Sequence, residues 1–278
     1  MSYAYKIAGK SKVKLKDYDP DYTAGLEKRE ALQRFLETNT ELDAIQEELY
    51  AAGQQSVLMI LQGMDTSGKD GAIRDVLQNV DPQGCRVESF KAPTADELAH
   101  DFLWRVHKVV PARGMLGVFN RSHYEDVVVV RVLQLAPDEV WKPRYEQINV
   151  FEATLAQNRT IILKFFLHIS REEQARRLLK REQDPSKAWK LSVEDWRNHE
   201  RWDDYMKAYQ EALGRCNSKA APWYVVPANK KWYRNLAISE ALVQTLREYR
   251  PAWRQAMERM SEARLAELRA MREQMRRN

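Results

Sequence analysis

Four short runs in this chain are apolar at nearly every position: SVLMILQ at 56–62, MLGVFN at 115–120, TIILKFFLHIS at 160–170 and WYVVPA at 223–228. A strand with one wet face alternates apolar and polar residues, so runs without alternation must be covered on both faces. CRVESF at 85–90 is a fifth, weaker strand candidate. Between the runs, apolar residues recur three, four and seven apart, the spacing of a helix with one buried face. The first such stretch covers about 24–52, with Leu32, Phe35, Leu36, Leu42, Ile45 and Leu49. Others cover about 69–79, 94–110, 137–158, 171–183, 192–214 and 232–249. Thr94 and Glu97 have the spacing of a capping box, and Pro111 ends the helix they begin. Alternating helices and buried strands predict an α/β fold of three layers: a parallel five-stranded sheet with helices on both faces.

The 278 residues suffice for one large α/β domain, and no internal repeat or low-complexity linker divides them. The chain reads as a polar N-terminal arm over 1–23, a single domain over 24–250 and a charged tail over 251–278. The tail carries Met257, Met260, Leu268, Met271 and Met275 at loosely helical spacing. That spacing suits a solvated helix or a contact with a partner or a second copy. No apolar run reaches the length of a membrane span, and the N-terminus lacks the apolar core of a signal peptide. The two cysteines, Cys85 and Cys216, lie far apart without metal-ligand spacing, which points to a reduced cytoplasm. A net charge of +5 suits an anionic partner without naming one.

The run at 56–62 leads straight into GMDTSGKDG, Gly63 to Gly71. Gly-x4-Gly-Lys between a buried strand and a helix is the setting of a phosphate-binding loop. Its backbone N–H groups and the helix N-terminus favour an anion at one spot, and Lys69 adds a point charge. Gly63, Thr66, Ser67, Gly68 and Gly71 are the expected cradle. Two acids sit oddly in such a loop. Asp65 reads as a ligand for Mg²⁺ or as the group that orients the attacking oxygen. Asp70 stands where Ser or Thr usually follows the lysine; it is either a metal-side group or a first-turn acid favoured by the helix dipole.

FNRSHYEDV, 119–127, leaves the end of the third strand, where open α/β sheets bind ligands. Arg121 is placed to meet a phosphate bidentately. Glu125 and Asp126 follow one turn later and can complete a metal site with Asp65. His123 is either an acid–base group or a structural histidine beside Tyr124. Phe90, Trp104 and Tyr124 are either base-stacking or core residues.

Residues 171–190 are strongly basic, with Arg171, Arg176, Arg177, Lys180, Arg181, Lys187 and Lys190. Arg177, Lys180 and Arg181 share a helix face, fit for a lid over transferring phosphates or for a solvated basic surface. Arg74, Lys91, Arg105, Lys108 and Arg131 form a second set, and together they suggest a cationic groove that suits a repeating polyanion.

GMDTSGKDG, FNRSHYEDV, ARRLLKRE (175–182) and APWYVVPANKKWYRN (221–235) together make the chain resemble the polyphosphate kinase 2 family from about Asp17 to Arg250. The resemblance implies a thymidylate-kinase-like P-loop fold with a helical lid at about 171–195. It implies phosphoryl transfer between inorganic polyphosphate and nucleotides with Mg²⁺, or Mn²⁺ in its place. It assigns Asp65, Lys69, Arg121 and Asp126 to catalysis and metal binding, and Arg177 with Lys180 or Arg181 to phosphate contacts from the lid. Gly-Lys-Asp-Gly and WRVH (104–107) look like the subgroup that accepts both AMP and ADP. A dimer or tetramer is implied; no nucleic acid or membrane partner is expected. Asn120 departs from the Asp-Arg that typical nucleotide kinases often carry. The competing readings are an ATP-dependent nucleoside monophosphate kinase and a non-catalytic polyanion- or RNA-binding protein.

Overall fold

The computed structural model describes residues 3–9, 11–184, 186 and 192–277. Its centre is a six-stranded mixed sheet in the order β1-β6-β5-β2-β4-β3. The strands are β1 (Tyr5–Lys6), β2 (Ser56–Gln62), β3 (Cys85–Ser89), β4 (Leu116–Asn120), β5 (Thr160–His168) and β6 (Trp223–Pro227). Five of them, β2 to β6, are parallel, as expected. The sixth is a correction: Tyr5 and Lys6 pair antiparallel with Val225 and Tyr224. The arm is therefore tied to the sheet, and its Tyr3, Ile7, Val13 and Leu15 are buried. Two residues of a polar segment carry no periodicity, which is why this strand left no signal.

All seven residues of β2 and all nine of β5 are buried, as their unbroken apolar runs require. Edge strand β3 exposes much of its surface, in keeping with its mixed sequence. One charge breaks the apolar rule inside β5. Lys164 is fully buried; its Nζ donates to Tyr124 Oη at 2.9 Å and to the Cys216 carbonyl at 2.7 Å, and it pairs with Glu152. A buried ammonium is tolerated only when so surrounded.

The helices are α1 (Lys28–Ala52), α2 (Lys69–Val76), α3 (Ala95–Leu98), α4 (Trp104–His107), α5 (Glu125–Val132), α6 (Asp138–Trp141), α7 (Arg144–Gln157), α8 (Arg171–Glu182), α9 (Val193–Glu200), α10 (Trp202–Arg215), α11 (Lys231–Arg247) and α12 (Arg250–Arg277). Three of the expected helices are broken. The capping box at Thr94 forms, but the helix lasts one turn, and Asp101 caps a fresh turn at Leu103. Pro143 separates α6 from α7, because proline has no N–H to continue the ladder. The 192–214 stretch divides at Arg201, between α9 and α10. No described helix is long and apolar enough to cross a membrane.

Parallel strands all end on one edge. The loop after β2, the turn after β4, the start of α8 after β5 and Ala228–Asn229 after β6 therefore gather there. The chain passes from β2 to β3 and β4 on one side of it and then to β5 and β6 on the other, which makes the carboxyl end of β2 the crevice where such folds bind ligands.

Candidate active site

The loop at the end of β2 is drawn in by close packing. A Cβ on Gly63 would lie 2.8 Å from the Leu167 carbonyl, so only glycine lets β5 approach. Thr66 and Gly68 both take left-handed backbone conformations, with φ of 62° and 98°. For Thr66 this is a strained state of the kind that persists at functional sites. Among the described residues, Thr66 Oγ1 and Ser67 Oγ are buried without a hydrogen-bond partner. Lys69 opens α2, and its buried Nζ folds back onto the carbonyls of Gly63 at 2.7 Å and Met64 at 3.2 Å. Burial, helped by the nearby Arg121, lowers the lysine to about 8.

Arg121 follows β4 with φ of 61°, its N–H donating to the Leu61 carbonyl at 3.0 Å. This turn sends the side chain back across the end of β2. Its guanidinium binds Asp65 at 2.7 Å and Glu125 at 3.2 Å. The two acids raise the arginine further above its ordinary value, Glu125 most strongly. Asp65, Arg121 and Glu125 therefore form one cluster.

Asp126 does not join it. Its carboxylate faces Arg144 at 3.1 Å and Arg105 at 3.8 Å, and burial raises it to about 6. Among the described residues, no three of His, Cys, Asp and Glu lie together as a cation site. The expected trio of Asp65, Glu125 and Asp126 is corrected accordingly: consecutive residues at the head of α5 point to different neighbours. Asp70 accepts from Asn120 Nδ2 at 2.8 Å. The strand-end amide and the helix acid thus complement one another.

The basic helix also differs from expectation. Arg177 is buried, and each of its donors is committed: to Glu173 at 2.6 Å, to the Thr66 and Ser67 carbonyls at 2.9 and 3.0 Å, and to the Ala228 and Asn229 carbonyls at 2.7 and 2.8 Å. It is a brace beneath the loop, not a lid contact to phosphate. Lys180 is exposed and Arg181 half-buried on the same helix. Lys187 and Lys190, with positions 185, 188, 189 and 191 of the expected 171–195 lid, lie outside the described residues. Arg74 is exposed and paired with Asp75. Lys91 is exposed, and its carbonyl accepts from Arg105 at 2.9 Å. Arg131 sits six residues along α5 from Glu125, paired with Glu211 in a groove with Lys12, Lys142 and Lys207. That groove does not include the loop, so Arg131 lies apart from it. Gly71 lies in the first turn of α2, 3.5 Å from Arg234 measured at a built Cβ.

His123 is buried against Glu152 and held below its usual value by burial, the structural alternative. Phe90 and Tyr124 are core. Trp104 is already stacked on His100 at 3.9 Å, with Lys108 Nζ 3.9 Å from its ring centroid.

Three site residues escaped the sequence reading. Asn198 on α9 donates to Asp65 Oδ2 at 3.0 Å. Gln174 on α8 donates to the Asp65 carbonyl at 3.1 Å and faces His199 at 2.8 Å. Arg234 on α11 lies behind Gly68. Asn198 is 133 residues from its partner, so nothing local marks it.

A lysine-bearing glycine loop at the carboxyl edge of a largely parallel sheet, with an arginine and carboxylates at its rim, places the chain among α/β proteins built to handle phosphates. The comparison with known families agrees. The polyphosphate kinase 2 profile matches residues 25–253, and the chain belongs to that family. It is 50% identical over 244 residues to the AMP/ADP-polyphosphate phosphotransferase of Meiothermus ruber, covering 87% of this chain and 91% of that one. It is 42% identical over 270 residues to the ADP-polyphosphate phosphotransferase of Rhodopseudomonas palustris, covering 92% and 91%. The crystal structure of polyphosphate kinase 2 from Arthrobacter aurescens superposes with a TM-score of 0.83 at 43% identity over 87% of each chain.

Proposed function

We propose that this protein moves the terminal phosphoryl group of inorganic polyphosphate to AMP or ADP, reversibly, in a thymidylate-kinase-like P-loop fold. The observation that carries the reading is the loop itself. Lys69 Nζ rests on two loop carbonyls, and two buried hydroxyls of the same loop, on Thr66 and Ser67, have no partner among the described residues. These are groups that an incoming phosphate oxygen would satisfy.

The residues at the rim suit a divalent cation. Mg²⁺ takes one or two carboxylates, substrate oxygens and waters, so it needs no cage of three acids. Asp65 and Glu125, on either side of Arg121, would hold it, or Mn²⁺ in its place. Asp126 instead orients Arg105 and Arg144. The ion supplies neutralisation of charge on the phosphate oxygens. Lys69 and the loop amides hold the phosphate chain in line. Arg121, drawn from its carboxylates toward the transferring group, stabilises the charge that develops there. A phosphate acceptor is already largely deprotonated at neutral pH, so no side chain need act as base. The family's dimers or tetramers extend to this chain within the same proposal, as does a cytoplasmic setting.

Incubation with polyphosphate, Mg²⁺ and ADP alone, followed by nucleotide chromatography, tests the reading. ATP should appear, and AMP in place of ADP should give ADP and then ATP. An enzyme that requires ATP as donor makes nothing under these conditions.

A further inference from the structure

Arg234, the fourth residue of α11, is 1% exposed and lies directly beneath the glycine loop. A Cβ built on Gly68 would fall on its Nη1, and one on Gly71 would come within 3.5 Å of its Nη2. The two glycines that flank Lys69 and Asp70 therefore make room for a guanidinium as well as for a ligand. Among the described residues, that guanidinium forms no ion pair with a carboxylate. Nε and Nη2 both donate to the Asn235 amide oxygen, at 3.0 and 2.6 Å, and Nη1 has no partner among the described residues. Asp75 acts on it through space and is linked to it by a hydrogen bond only through Asn235 Nδ2, at 2.8 Å. Burial and the neighbouring Arg177 lower Arg234 to about 10.

A buried cation without a counter-ion is costly, and it is kept where its field is used. Here the field adds to that of the α2 N-terminus, on the side of the loop away from the ligand.

We propose that Arg234 is a positioning residue that fixes the back of the loop and supplies standing positive potential, with the phosphate bound in front of Gly68 and Lys69 serving as its counter-ion. The inference rests on the loop being the phosphate site.

Pyrophosphate binding by calorimetry and kinetics on the full-length enzyme test it together. Arg234→Met should weaken pyrophosphate about tenfold and raise the KM for polyphosphate or nucleotide more than it lowers kcat. The melting temperature of the ligand-free protein should hold or rise, because an uncompensated charge is gone. Arg234→Lys, which keeps the charge, should recover affinity to within about threefold. Asp75→Asn removes the relayed acid at the surface and should tighten pyrophosphate about two- to threefold, a readout that stands even if Arg234→Met fails to fold. Wild-type affinity in Arg234→Met, a lysine variant as weak as the methionine one, or unchanged or weaker binding in Asp75→Asn overturns the proposal. Lys69→Ala separates the two levels. If it too binds normally, the loop is not the anion site; if it binds weakly while Arg234→Met binds normally, only the role of Arg234 falls.

Discussion

At Lys69 the requirements of folding and of chemistry are opposed. The loop buries an ammonium on carbonyl oxygens and lowers it from 10.5 to about 8. Between those values the unfolded chain binds more protons than the folded one, so this group makes stability rise with pH across that window. A bound phosphate reverses the preference by stabilising the charged form. Pyrophosphate binding should therefore take up a proton above pH 8, and its affinity should fall as pH climbs toward 10.5. Calorimetry in buffers of different ionisation enthalpy measures the uptake, and Lys69→Met should abolish it. The acids separate in the same way. Asp65 touches Arg121 and Asn198, whereas Asp126 is turned to Arg144 and Arg105. Asp65→Asn should cost kcat/KM about 10²- to 10³-fold, and Asp126→Asn should cost clearly less. Both carboxylates stood out in the sequence by their place after strand ends. Which way each one points did not, because adjacent residues on a helix face directions about 100° apart.

At the scale of elements, α8 is the piece whose role changed most between sequence and structure. Its run of arginines looks like a solvent-facing lid, yet Arg177 ties it to carbonyls of two separate loops. Glu173, four residues earlier, completes the contact. Breaking so enclosed a charge leaves the loop carbonyls without their donors and Glu173 with only its partner Arg176, at a cost of about 3 kcal/mol or more. Arg177→Met should lower the melting temperature by roughly 6–12 °C, read by calorimetry or circular dichroism. Arg177→Lys should not restore it, since one ammonium lacks the fork that spans four carbonyls. Strands were the easier elements to read. β2 and β5 have no polar face to mistake, whereas the two-residue β1 is defined only by its partner β6.

At the scale of the whole molecule, α12 is anchored at one end only. Trp253 is buried, its Nε1 donating to Gln55 at 2.5 Å, and Arg250 and Arg254 bind Glu48 on α1 at 2.6 and 2.9 Å. From Glu258 onward every described residue is exposed. Removing 261–278 should therefore leave the melting temperature within about 2 °C and phosphotransfer intact in a polyphosphate–ADP assay. Trp253→Ala should destabilise by about 3–5 kcal/mol. The net charge of +5 acts at this scale too: polyphosphate affinity should fall as salt rises, since exposed charges beyond a Debye length are screened.

The sequence alone determined the class of fold and the glycine loop at the end of its central strand. Unbroken apolar runs this short, bounded by turn residues, read as strands covered on both faces, and a glycine loop between such a strand and a helix favours an anion. Tertiary structure decided which distant groups meet there. Asn198, Gln174, Arg177 and Arg234 reach the loop from segments more than a hundred residues away. Their hydrogen bonds depend on how the helices settle against the sheet, and no local spacing encodes that.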